Sequence, residues 1–247
     1  LLHSGRENLC PERVILGVSK PIVRHGGFAE KVLVPDKNIY ELPAGLEMKK
    51  APIAEPAAVS FHAVELGIKS LKKPLEQCKV LVIGGGAIGL LCALILENMK
   101  KCQEIVLSEP NNKRLDVCKK NLSSECIDAK NNKINENSFD LIFDTVGMEI
   151  TRKSSIKFIK PGGSIIHIGL TQPSGSFDFR KATLQEITFI GTYTYSNKDF
   201  EKTLDILSKG KIGDLNWIEF RELSTGAEAF KEIHNGNCAA PKIVLIP

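Results

Sequence analysis

The chain has 247 residues, 43% hydrophobic and 25% charged, which gives enough apolar mass for one large domain or two smaller ones. The net charge is only +4 and the 33 basic residues sit among acids, so Lys119-Lys120 and the stretch from Lys130 to Lys133 read as solvated faces, and nucleic acid is excluded as a partner. No apolar run approaches the ~18 residues that span a bilayer and no signal peptide is recognisable, which excludes a membrane partner. Seven cysteines, at 10, 78, 92, 102, 118, 126 and 238, form no CxxC pair and are odd in number. Reduced thiols in a cytoplasmic protein fit that pattern, with Cys92 packed in the core.

Leu1 to Arg6 carries no Met and no helix or strand signal, and reads as the middle of a loop, as a truncated reading frame would give. After Gly26-Gly27, the alternation of Phe28 to Pro35 predicts a strand. Ile39 to Leu42 is a second short run, ended by Pro43 and Gly45, and this region reads as small all-β structure. Pro56 to Gly67 predicts a helix, with Ala57, Ala58, Phe61, Val64 and Leu66 on one broad face and Gly67 as its stop.

From Lys79 the pattern changes. Val80-Leu81-Val82-Ile83 is wholly apolar, as in parallel strands buried on both faces. A helix over Ala87 to about Met99 follows, then a strand at Ile105-Val106-Leu107 and a helix over about Asn112 to Asn121. Further strands are expected at Cys126-Ile127, Leu141 to Phe143, Ser164 to Ile168 and Thr188 to Ile190. A helix is expected over Ile150 to Ile159, and a turn at Pro161-Gly162-Gly163. Alternation of this kind predicts an α/β fold with a doubly wound parallel sheet. Phe200 to Leu207 reads as an amphipathic helix and Lys242 to Ile246 as a last strand.

The strongest signal lies between the first of these strands and its helix. Gly84, Gly86 and Gly89 form G-x-G-x-x-G in the strand–turn–helix context of a dinucleotide-binding Rossmann unit. Gly84 permits the tight turn, Gly86 lets backbone approach a pyrophosphate, and Gly89 lets helix and sheet pack closely. The N-terminus at Ala87 and Ile88 offers free N–H groups to the phosphates. Glu109 lies 20 residues after Gly89, where an acid can accept both adenosine ribose hydroxyls and repel the 2′-phosphate of NADP, favouring NAD. Arg114 can reach the same ribose. The plainer reading makes these an ordinary turn and a surface acid.

These residues resemble the zinc-dependent medium-chain dehydrogenase/reductase superfamily, and most closely its sorbitol, threonine and sugar-alcohol-phosphate dehydrogenase branch. The likeness runs from Ser4-Gly5-Arg6-Glu7-Asn8-Leu9-Cys10 through Gly26 to Glu30, Glu55-Pro56-Ala57-Ala58-Val59 and the glycine turn to Pro161-Gly162-Gly163. It implies a partial GroES-like catalytic domain over residues 1–57, a Rossmann domain over 58–191, and a return to the catalytic domain over 192–247. It also implies hydride transfer between an alcohol or polyol carbon and the nicotinamide, with zinc as Lewis acid in the full-length protein.

Carried over residue by residue, Glu55 matches an acid at the catalytic zinc; otherwise it is a carboxylate favoured by a helix N-terminus. Cys10 matches the last of four structural-zinc cysteines. Tyr195 matches a tyrosine near the zinc-bound water and substrate, or else packs the seam between domains. Thr145-Val146-Gly147, Ile168-Gly169-Leu170 and Ile190-Gly191-Thr192 match strand ends around the nicotinamide. His167 reads as a packed or hydrogen-bonded histidine, and His62 as part of an apolar helix. Phe28 and Tyr195 would shape substrate choice, and Arg180 or Lys181 would face a phosphorylated substrate or simply be surface charge.

The cysteine and His-Glu pair that complete the family's catalytic zinc site have no match, nor have the first three lobe cysteines, so the resemblance points to an N-terminally incomplete enzyme. Two alternatives stand beside it: a zinc-free quinone or enone reductase, which Glu55-Pro56, Cys10 and Glu109 argue against, and a non-catalytic nucleotide-binding module. The resemblance also implies a homodimer or homotetramer, in which the edge strand at Thr188 to Ile190 would be paired.

Overall fold

The apolar runs become six parallel strands in a computed structural model that describes residues 5–18, 24–131 and 133–247. The start of the opening loop, residues 1–4, lies outside the described residues, as does Asn132 in the lysine stretch. In chain order come α1 (Ala54–Ser70), β1 (Lys79–Ile83), α2 (Ala87–Asn98), β2 (Glu104–Glu109), α3 (Asn112–Asn121) and β3 (Glu125–Asp128). Then follow β4 (Phe139–Asp144), α4 (Glu149–Phe158), β5 (Ile159–His167), α5 (Phe179–Leu184), β6 (Thr188–Gly191) and α6 (Asn197–Ser208). β7 (Ile218–Glu222), α7 (Gly226–His234) and β8 (Lys242–Ile246) come last, with β7 and β8 forming a separate parallel pair.

The large sheet has the order β3-β2-β1-β4-β5-β6. The chain builds outward from β1 to β3, then returns to the other flank of β1 and builds outward again. In a doubly wound sheet the crevice at such a reversal, beyond the C-terminal strand ends, is where ligands bind. Strand alternation divides the core in two. Val80, Val82, Leu107, Leu141 and Phe143 face α1, α2 and α6, while Leu81, Ile83, Val106, Ile142 and Ile165 face α4. Both faces are covered, which is why β1 has no polar alternation. α2 is buried almost all round, from Gly89 to Leu96, because α1 packs over it from outside.

Several expectations need correction. Gly67 does not end its helix: α1 starts earlier, at Ala54, and runs through Gly67 to Ser70. A Cβ on Gly67 would meet the Phe143 ring at 2.8 Å, so this glycine serves close packing of α1 on the sheet. The Pro161-Gly162-Gly163 turn lies inside β5 as a bulge: Phe139 pairs with Ile159, but Leu141 already pairs with Ser164. Gly162, at φ +72, donates its N–H to Gln185 O at 2.7 Å, so the looped-out backbone is held by the neighbouring connection. Phe28 to Pro35 and Ile39 to Leu42 form no strands. Alternation chooses a face, but a strand also needs a partner for its backbone ladder, and none of the described residues pairs with these runs. Nothing in the sequence pattern marks β7, α5 or α7.

Candidate functional site

The glycine turn sits at the C-terminal end of β1, on the crevice. Gly84 has φ +101, and a Cβ there would meet Val146 Cγ2 at 2.6 Å. A Cβ on Gly89 would lie inside the carbonyl oxygen of Gly84, so only glycine allows α2 to start this close to the turn. Gly86, the N-cap of α2, is different: a Cβ there would meet nothing within 4 Å. Open space above Gly86, next to first-turn N–H groups at Ala87, Ile88 and Gly89, suits an anionic phosphate. From below, Thr145 Oγ1 donates to Ile83 O at 2.7 Å and Cys118 Sγ to Gly85 O at 3.6 Å, fixing the turn on two sides.

Glu109, at the end of β2, is 3% exposed. Its two carboxylate oxygens accept from Gly85 N at 2.7 Å and Asn111 N at 2.8 Å. The acid therefore ties the glycine turn to the start of α3, and a ribose hydroxyl would use the lone pairs that remain on each oxygen. Arg114 holds Nη1 3.9 Å from Glu109, and its Nε is buried without a hydrogen-bond partner.

Across the crevice the ends of β4 and β5 touch. A Cβ on Gly147 would overlap the backbone of Gly169, and one on Gly169 would overlap Val146. The organiser is Asp144, fully buried, which accepts from Val146 N (3.1 Å), Gly147 N (2.9 Å), Thr151 Oγ1 (3.1 Å) and His167 Nδ1 (3.1 Å). Burial alone would raise its pKa; the bonds from His167, Gly147 and Val146 outweigh burial and hold it below the usual carboxylate value. Asp144 O also accepts from the N–H groups of Ile168 and Gly169, and His167 O from Thr192 N at 3.0 Å. The three segments 145–147, 168–170 and 190–192 thus form one connected rim. Leu170 is exposed on it, and Thr192 Oγ1 is buried without a partner.

Glu55 and Tyr195 lie within electrostatic reach of each other. Glu55 keeps an exposed face, yet desolvation by the protein around it raises its pKa and nearby Lys242 opposes that. Burial, then Glu55 and Tyr40, push the Tyr195 phenol well above its ordinary value. The Tyr195 ring stacks on Phe200 at 5.5 Å and Tyr40 meets the same ring at 4.8 Å, so the tyrosine belongs to an aromatic wall. Cys10 is a partly exposed residue with a free thiol, and its carbonyl takes Arg13 N and Nη1. His62 Nδ1 donates to Asp199 Oδ2 at 2.8 Å, joining α1 to α6. Lys181 Nζ bonds Lys157 O, and Arg180 is exposed.

A zinc-binding dehydrogenase domain matches residues 87–209, the span that contains Gly89 at the end of the glycine turn, Glu109 and the rim. That match places this span of the chain in the zinc-binding dehydrogenase family. It is 30% identical to (R,R)-butanediol dehydrogenase of Saccharomyces cerevisiae over 98% of this chain and 65% of that relative, so it spans about two thirds of the relative's length. It is also 30% identical to L-galactonate-5-dehydrogenase of Escherichia coli, over 92% of this chain and 66% of the relative. The fold is that of alcohol dehydrogenase TADH from Thermus sp. ATN1, with TM-score 0.87 and 20% identity over 99% of this chain and 72% of that one.

Zinc is implied by the family name, and the described residues do not fit it. Among the described residues no three His, Cys, Asp or Glu side chains converge, whereas a zinc site takes three or four protein ligands. A dinucleotide fits, because the space over Gly86 is where a Cβ would otherwise stand. Two residues of the site had no sequence signal of their own. Lys242 acts on Glu55 from 187 positions away, and Asp144 follows an apolar run with nothing local to mark its partners.

Proposed function

We propose that the protein is an NAD-dependent oxidoreductase that transfers hydride between an alcohol or polyol carbon and nicotinamide. The observation that carries this reading is the contrast within the turn: Gly84 and Gly89 are required by the protein's own packing, while Gly86 faces open space at a helix N-terminus. In this reading the first-turn N–H groups of α2 hold the pyrophosphate, and Glu109 takes the adenosine ribose. The rim at Thr145 to Gly147, Ile168 to Leu170 and Ile190 to Thr192 orients the nicotinamide through backbone groups. When bound, the nicotinamide supplies the hydride acceptor or donor. Glu55 and Tyr195 border the substrate carbon. The 30% identity to a butanediol dehydrogenase supports a small hydroxylated substrate.

Among the described residues no helix is long and apolar enough to cross a membrane. We place the protein in the cytoplasm, in keeping with its seven free cysteines. β6 stands at the open edge of the large sheet with Phe189 45% exposed, which supports pairing in a homodimer or homotetramer. Light scattering that returns a monomer mass counts against that assembly.

The test is a fluorescence titration with NADH and with NADPH, followed by absorbance at 340 nm with NAD, zinc and a panel of vicinal diols and pentitols. Saturable NADH binding that is tighter than NADPH binding, with alcohol-dependent NADH formation, is the expected result. Binding without turnover across the panel would sink the catalytic part of the reading, and no binding of either nucleotide would sink all of it.

A further inference from the structure

Tyr195 lies in the five-residue connection from β6 to α6, next to a backbone conformation that the chain does not adopt freely. Thr194 has φ +49, in the left-handed region that β-branched residues rarely enter. Such a conformation persists where the surroundings over-determine it. Here those surroundings come from the far end of the chain. Asn8 Nδ2 donates to Tyr193 O at 2.7 Å, and the Arg13 guanidinium lies 4.5 Å from the centre of the Tyr193 ring. On the other side of the turn, Glu7 Oε1 accepts from Asn197 N at 2.6 Å. Asn197 opens α6, so its N–H has no partner within the helix, and a carboxylate at that end is favoured by the helix dipole. Both flanks of the Thr194-Tyr195 pair are thus tied to one short segment, residues 7–13.

We propose that residues 7–13 are a latch that holds the Thr194 turn in its left-handed conformation and so positions Tyr195 beside Glu55. Glu7, Asn8 and Arg13 are positioning residues. With the ties removed, Thr194 returns to negative φ, the peptides on either side rotate, and the Tyr195 ring leaves Phe200. Whatever displaces residues 7–13 then displaces this wall of the cleft. The consequence for turnover rests on the reading of Tyr195 as a substrate-facing residue; the latch itself does not.

The experiment is fluorine NMR on protein carrying 3-fluorotyrosine. Three tyrosines give three resonances, assigned from single Tyr→Phe variants. The wild type is expected to show one narrow Tyr195 line. The double variant Asn8→Ala/Arg13→Ala is expected to split or broaden that line, while buried Trp217, the single tryptophan, keeps its emission maximum and reports an intact core. Glu7→Ala, which cuts one tie, is expected to give a smaller change of the same kind. A Tyr195 line in the double variant as narrow and unshifted as in the wild type overturns the latch; if that variant does not fold, Glu7→Ala decides by the same criterion. A separate arm adds NADH and a vicinal diol to the wild type. No response of the Tyr195 line there, with a positive latch result, refutes the substrate-facing reading and leaves the latch standing.

Discussion

The six-stranded sheet and the lobe formed by residues 24–48 with β7, α7 and β8 contain similar apolar runs and meet opposite fates. In β1, Val80, Leu81 and Val82 are fully buried, with helices on both faces and strands on both edges. In the lobe, Phe28 is 67% exposed and Leu33 92%, and the edge-to-face contact of Phe28 with Phe230 joins two rings that are each mostly in water. Apolar side chains are buried only when an element has neighbours to complete its ladder and cover its face. The sheet has those neighbours among the described residues; in the lobe β7 and β8 pair only with each other, and the runs at 28–35 and 39–42 pair with none of the described residues.

That contrast can be broken by substitution. The largest effect is expected from Gly89→Val, whose side chain would occupy the position of the Gly84 carbonyl: a loss above ~4 kcal/mol in urea unfolding, together with loss of nucleotide binding. Phe143→Ala, which empties a fully buried site under α1, is expected to cost ~3–5 kcal/mol by the same measurement. Asp199→Asn is expected to cost ~1–2 kcal/mol at pH 7, and the cost should depend on pH. Burial alone would raise the Asp199 pKa, but bonds from His62 and Ser196 hold it at about 2, against an ordinary 3.8. A depressed carboxylate stabilises above its ordinary pKa and loses that contribution as pH falls through the folded value. The gap between variant and wild type should therefore be full at neutral pH and close between 3.8 and about 2. Leu33→Ser should change stability by no more than ~0.5 kcal/mol. A cost near that of Phe143→Ala would mean that the lobe's apolar face is covered in solution.

Legibility followed the same division. β1, the glycine turn and α2 were readable because apolar run, glycine spacing and helix follow in unbroken order. α3 was placed to the residue, with Asn111 Oδ1 accepting from Arg114 N as its cap. In the lobe, alternation at Phe28 to Pro35 signalled a strand, yet nothing local can say whether a ladder partner exists. β7, Ile-Glu-Phe-Arg-Glu, is short and half polar, and α7 leaves Phe230 and Ile233 exposed, so neither stood out from its surroundings. Of the site, the glycines and Glu109 could be read because their chemistry depends on local spacing. Asp144 and Lys242 matter through partners brought in by the fold, and left-handed Thr194 is a conformation that threonine does not advertise.

The measurement that tests the central claim most directly is NADH binding to Gly86→Val by calorimetry, beside the wild type and Gly89→Val. Gly86 has φ −70, and a Cβ there meets no protein atom within 4 Å, so the protein itself tolerates a side chain at this position. The account predicts a folded Gly86→Val protein, destabilised by no more than the ~1 kcal/mol that a poor N-cap residue costs, with NADH binding abolished, because only a bound pyrophosphate needs that space. Undiminished NADH affinity in a folded Gly86→Val protein would contradict it.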